Sequence, residues 1–171
     1  ILATVARAIA CKRPLRIRYL SVSSGAKTRD IVPVALADSG LRWHVRAFDR
    51  LNDRFSDFVL RRIQSAEILD PLSSEHERLA ADEQWTRIVN MDLVPHPDAE
   101  WPEGIEVDFD MREGCLKMRT RAALAGYLLQ RWSVDCSESH TLNPKQHQLW
   151  LRNPQTLYGV DSAKLAPGYG D

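Results

Sequence analysis

Apolar residues recur in the first turns of the chain with the spacing of one helix face: Leu2, Val5, Ala6 and Ile9 stand at i, i+3, i+4 and i+7. The pattern predicts an amphipathic helix that ends by Pro14, which cannot donate to the helix ladder and restricts the residue before it. From Leu15 the period drops to two. Leu15, Ile17 and Tyr19 alternate with Arg16 and Arg18, as in a half-buried strand. Ser23-Ser24-Gly25 is turn chemistry, and Arg29 to Leu36 reads as a second strand in which Pro33 marks an edge or a bulge. The tight turn Asp38-Ser39-Gly40 leads into a third strand, Leu41 to Phe48. It places Trp43, Val45 and Ala47 on a core face and Arg42, His44 and Arg46 on the other. After a polar loop, Phe55 to Leu69 holds two more short strands, broken near Arg61 to Gln64. Five short strands behind a helix predict a small barrel, open or closed, since closure removes exposed edges.

Residues 70–84 are polar and acidic and read as a linker with a helical turn. Val89, Met91 and Leu93 predict a strand, and Pro95, Pro97 and Pro102 bracket a loop. Ile105, Val107 and Phe109 alternate, Glu113-Gly114 turns, and Cys115, Lys117 and Arg119 return, which predicts a hairpin. Thr120 stands as the N-cap of a helix with Leu124, Tyr127, Leu128 and Trp132 on one face. Gln148 to Leu151 is a last strand before a short tail. The expected class is α+β: a connector helix over 1–14, a barrel over 15–69, a linker with a strand over 70–100, and a C-terminal α+β extension over 101–171.

Composition fits a globular chain. Of 171 residues 44% are hydrophobic and 27% charged. No apolar run is long enough for a transmembrane helix. The start, Ile1-Leu2-Ala3-Thr4-Val5, has neither a signal-peptide pattern nor an initiating Met, so the chain is expected to be a piece of a longer one. Cys11, Cys115 and Cys136 are far apart without zinc spacing, which predicts reduced thiols in a cytoplasmic protein, with no metal and no cofactor.

The zero net charge hides an uneven distribution. Residues 1–63 hold 13 Lys/Arg against 5 Asp/Glu, a net of +8, and residues 64–114 hold 3 against 14, a net of −11. The basic third either faces an anion or nucleic acid, or is matched by the acidic stretch within one chain or across a dimer.

Candidate chemistry gathers on the third strand. Arg42, His44 and Arg46 share a face, with Tyr19, Ser21 and Arg62 expected nearby. Arginine forks match phosphate oxygens, hydroxyls bond phosphate or sugar, and Tyr and His stack on bases. A protonated His44 would add pH dependence. The plainer readings are a solvated Arg42, a packed His44, a core Tyr19, and serines that only form the turn; Trp43 reads as core. Asp108 and Asp110 read as a solvated strand face. No Gly-rich phosphate loop, nucleophile elbow or HExxH occurs, so no catalytic residue is expected.

The stretch Leu15 to Ile68 resembles the WYL domain of bacterial regulators. Its marks are Ile17-Arg18-Tyr19, Ser21, Ser23 and Ser24, Arg29-Asp30-Ile31-Val32-Pro33, Gly40 to Phe48, and Asp57-Phe58-Val59-Leu60-Arg61-Arg62-Ile63. The namesake Trp-Tyr-Leu stands here as Trp43-His44-Val45. That variant, with Trp85, Val94-Pro95-His96-Pro97, Ile105 to Phe109 and Arg121 to Tyr127, is similar to the repressors beside phage-defence operons. The resemblance implies an Sm-like five-stranded barrel and a C-terminal dimerisation unit. It also implies a homodimer and operator DNA as partners, the DNA gripped by a winged helix-turn-helix that has no counterpart here. It further implies a nucleotide or nucleic-acid effector bound through Tyr19, Ser21, Arg29, His44, Arg46 and Arg62. On this reading the chain is a sensor and not an enzyme; the alternative is a direct RNA- or single-stranded-DNA-binding module.

Overall fold

The computed structural model describes residues 1–70 and 72–170; Pro71, in the expected linker, and Asp171, at the end of the expected extension, lie outside the described residues. The chain divides into two compact units, 1–83 and 84–171.

The first unit opens with α1 (Leu2–Cys11), which buries Val5 and Ala8. It ends at Lys12, whose left-handed backbone (φ 52°) turns its N–H back to the carbonyls of Ala8 and Ile9. Five strands follow: β1 (Leu15–Ser21), β2 (Gly25–Asp38), β3 (Trp43–Asp49), β4 (Arg54–Val59) and β5 (Ile63–Ile68). A 3-10 turn, Leu60–Arg62, separates the last two. All are antiparallel, in the order β4-β3-β2-β1-β5. Pro33 lies in an interior strand, and the β2–β3 register shifts between it and Ala35. The bulge absorbs the ladder bond proline cannot make and bends the strand. Leu15, Ile17, Tyr19, Ile31, Val45, Ala47, Phe58 and Ile63 form the core with Val5 and Ala8.

The α+β class holds, as a helix with antiparallel sheets. Of the two forms expected, open or closed, the described residues give the open one: β4 and β5 share no ladder among them. A smaller link joins β1 to the end of β4, where the Val59 N–H donates to the Tyr19 hydroxyl at 3.2 Å.

The expected division of β3 into a core face and a solvent face is corrected. His44 through Asp49 are all buried, while Trp43, expected in the core, is 51% exposed. The second face of β3 is covered by residues 73–83, which form the 3-10 turns Glu75–Glu77 and Leu79–Ala81. Ser73 anchors this strap, its N–H and hydroxyl both donating to the Lys12 carbonyl at 3.0 Å.

Helix α2 (Glu83–Thr86) precedes the elements of the second unit: β6 (Ile88–Pro95), α3 (Pro102–Asp108), β7 (Leu116–Arg121), α4 (Ala122–Arg131) and β8 (Leu149–Leu151). The sheet order is β7-β6-β8, antiparallel. Val89, Met91 and Leu93 of β6 pack with Leu149, Leu151, Ile105 and Leu129. The hairpin expected at Ile105 to Arg119 is corrected, because Ile105 to Asp108 are helical. Pro102 starts α3 at a first-turn position. Ile105 is 8% exposed but Val107 79%, so the apparent alternation was one buried and one solvent-facing helix position. Thr120 is not a cap but a β7 residue paired with Val89. The buried face of α4 is Ala122, Ala123, Ala125, Gly126 and Leu129, not the larger residues expected. Small residues are needed there because the 3-10 turn Asp161–Leu165 runs close by. A Cβ on Gly126 would stand 1.7 Å from the Ser162 carbonyl oxygen.

Candidate functional site

β3 and the turn after β4 hold three of the six expected residues, His44, Arg46 and Arg62. His44 is 5% exposed. Burial holds its imidazole below the ordinary histidine value; Asp57 pulls the other way, and the guanidiniums of Arg42 and Arg62 push it further down. Arg42 is exposed and Arg62 half-buried, and neither forms an ion pair with the described residues. The structure thus brings two uncompensated cations to a buried, neutral imidazole.

Arg46 is placed differently from the solvent-facing fork expected. Its side chain is 5% exposed. Nε and Nη2 donate to Asp82 at 2.7 and 2.9 Å, and Nη1 to Asp57 at 3.3 Å. Burial alone would lower its pKa, but the two carboxylates raise it, so the guanidinium stays charged. One residue past β3, Arg50 makes the same two-bond contact with Glu77, at 2.6 and 2.9 Å. That contact first, and the Ser74 N–H second, hold the Glu77 carboxyl below the ordinary range. His76 sets its ring edge-on to Phe48 at 5.5 Å.

The remaining expected residues lie elsewhere or act structurally. Tyr19 is a core residue, edge-on to Phe58 at 5.1 Å. Ser21 shares a hydroxyl–hydroxyl bond with Ser23 at 3.0 Å and accepts the Ser23 N–H, so it shapes the β1–β2 turn. Arg29 pairs with buried Asp49 at 2.7 Å, at the end of β3 far from His44. Asp49 also accepts from the Leu51 N–H and the Asn52 amide, bracing the β3–β4 turn. Sequence reasoning missed the carboxylates Asp49, Asp57, Glu77 and Asp82. The signal for Glu77 and Asp82 was the acidic stretch that begins where the basic one ends.

The second unit has its own buried polar centre. His96, fully buried, accepts the Asp98 N–H at Nδ1, so Nε2 carries the proton toward Asp135 at 3.1 Å. Asp135 also accepts from Ser137 and Leu142, tying down the segment after α4. Burial pushes the Cys136 thiol up to about 12. An open cleft of about 460 Å³ is lined by Asp110, Arg112, Glu113, Cys115, Leu116 and Lys117. Among the described residues no group of His, Cys, Asp and Glu is arranged to hold a metal ion, and no helix is long and apolar enough to cross a membrane.

Comparison with known proteins divides the chain at the same place. Residues 1–68 match the WYL domain, and residues 88–157 match the C-terminal dimerization domain of the BrxR transcriptional regulator. The chain is similar to the DNA-binding transcriptional repressor CapW of Escherichia coli strain KTE188, at 30% identity over 94% of this chain and 53% of that protein. It is similar to CapW of Stenotrophomonas maltophilia at 32% identity, over 85% of this chain and 49% of that protein. Among solved structures, proteasome accessory factor B/C of Arthrobacter aurescens matches at 18% identity and a TM-score of 0.42, over 96% of this chain and 26% of that one. The chain spans about half the length of the CapW relatives.

Proposed function

This chain is a WYL domain joined to a BrxR-type C-terminal dimerization domain, a regulatory and not a catalytic pairing, and we propose that it is the effector-sensing and dimerising part of a bacterial transcriptional repressor. The proposed effector is anionic, a nucleotide or short oligonucleotide, received on the first unit. The proposed protein is a cytoplasmic homodimer. Its operator is held by a winged helix-turn-helix in the part of the longer protein beyond this chain, and the strand order of the first unit is read as an opened Sm-like barrel. A role beside phage-defence genes follows from the resemblance to that repressor group.

One observation carries the effector reading. Arg42 and Arg62 are charged, reachable by a ligand and without an ion pair among the described residues, and both act on His44. A phosphate seated between them would gain two charge-assisted contacts without breaking an internal pair. The alternative of diffuse binding to RNA or single-stranded DNA draws less support. Of the 13 basic residues in 1–63, Arg13, Arg16, Arg29, Arg46 and Arg50 are paired to acids of the same unit.

The test is titration of the full-length protein with a fluorescein-labelled deoxythymidine decamer and with nucleoside di- and triphosphates, in parallel with an Arg42→Ala/Arg62→Ala variant. Saturable binding that drops at least about tenfold in the variant supports the reading. Binding unchanged in the variant removes this site. Binding of every sequence alike with a steep salt dependence favours the alternative.

A further inference from the structure

The strap over β3 is held by two guanidinium forks. Arg46 presents Nε and Nη2 to Asp82, and Arg50 presents the same two atoms to Glu77. The two arginines are four positions apart, on β3 and just past its end; the two carboxylates are five apart on the strap. Side-chain exposure is 1% at Asp82 and 5% at Glu77, so both anions fill their forks with little water. Side-on, two-bond contact is also how arginine receives a phosphate. Other contacts along the strap join Ser73 to the Lys12 carbonyl, Arg78 to the Ser73 carbonyl, and His76 to Phe48. The Arg78 Nε is buried without a hydrogen-bond partner among the described residues.

We propose that Asp82 and Glu77 are tethered stand-ins for two phosphates, and that a ligand carrying at least two phosphate groups opens the strap by taking both forks. The proposal rests on the anionic-effector reading above and extends it from Arg42 and Arg62 to two further cations, Arg46 and Arg50, that a ligand reaches only when the strap opens. Removing the strap and leaving both forks empty would strand a buried cation at Arg46, a large cost, and would unpair the more accessible Arg50 as well. Exchanging carboxylates for phosphates keeps both cations paired, so the exchange is nearly balanced. A single phosphate can replace one latch only, and the second then holds the strap in place. Asp57 stays on Nη1 of Arg46 throughout and keeps the fork oriented. Asp82 is two residues from Gln84, where the second unit begins. Freeing Asp82 therefore loosens the chain segment that leads into the dimerization domain.

The experiment is hydrogen exchange of the full chain, with and without the deoxythymidine decamer and with inorganic phosphate as the single-anion control. Decamer affinity is measured alongside for wild type, Glu77→Gln and Asp82→Asn. The decamer is expected to speed exchange of the 73–83 amides, and inorganic phosphate to leave them protected. Each variant is expected to bind the decamer about tenfold tighter, because the closed fraction no longer taxes the affinity. If Asp82→Asn does not fold, Glu77→Gln and the wild-type exchange pattern decide. Decamer binding with the strap still protected, or variants that bind no tighter, overturns the strap proposal alone. Absence of binding by wild type and variants alike overturns both it and the effector reading.

Discussion

Asp82 closes a two-bond contact on Arg46 from 36 positions further along the chain, with both side chains at least 95% buried. The pair converts what the sequence presented as a surface cation into an interior one. Truncating one partner leaves the other charged and dry. Arg46→Ala is therefore expected to destabilise the first unit by about 3–5 kcal/mol. Replacing both, Arg46→Met with Asp82→Leu, is expected to cost clearly less. Urea unfolding of wild type, Arg46→Met, Asp82→Leu and the double variant checks this, and a double-variant cost equal to the sum of the two single costs would show that the two do not act as a pair.

Gly126 is expected to tolerate no side chain. The methyl of Gly126→Ala would meet a backbone oxygen and not a movable side chain. The shift forced on α4 or on the Asp161–Leu165 turn should cost at least about 3 kcal/mol. Thermal unfolding should show the second unit melting earlier while the first is unchanged.

His44 predicts a pH dependence in the first unit. Its folded value lies below the ordinary 6.5, with burial the main cause. Between those two values the unfolded chain binds a proton that the folded protein resists. Stability is thus full above pH 6.5 and is lost as pH falls toward the lowered value. The unfolding free energy measured between pH 7.5 and 5 should decline, and His44→Gln should flatten the decline. An anion seated between Arg42 and Arg62 would remove part of what depresses His44. Phosphate-ligand binding should therefore tighten on acidification across the same range.

The three thiols should differ sharply in reactivity. Cys136 is 1% exposed with its thiol pushed up to about 12, whereas Cys11 is exposed. At pH 7.5 iodoacetamide should label Cys11 first and Cys136 only after unfolding, since the thiolate is the nucleophile. Mass spectrometry of a labelling time course reads this directly.

The first unit was the more legible of the two, for a physical reason. Its strands face a core on at least one side, so Leu15, Ile17 and Tyr19 wrote their period plainly, and Pro33 marked the bulge it sits beside. β3 was misjudged because alternation of arginine with apolar residues does not say whether an arginine meets water or an acid from elsewhere in the chain. The two-bond partners of Arg46 and Arg50, Asp82 and Glu77, lie beyond β5, in a stretch whose polarity suggested solvent. In the second unit, Ile105, Val107 and Phe109 fit a two-residue period, yet Ile105 and Phe109 are also one helical turn apart. Pro102 at the first turn decided between the two. α4 was recognised as a helix but turned the wrong way. Its apolar residues encircle it, and only the close approach at Ser162 shows why the small ones face inward.

The Lys12 carbonyl has a mechanical consequence. It belongs to the residue that caps α1, and it is the oxygen on which Ser73 hangs by two bonds. The opening helix cannot roll or slide without stretching the start of the acidic segment that ends at Asp82. A push delivered at the head of this chain and a charge arriving at Arg46 therefore act on opposite ends of one short lever.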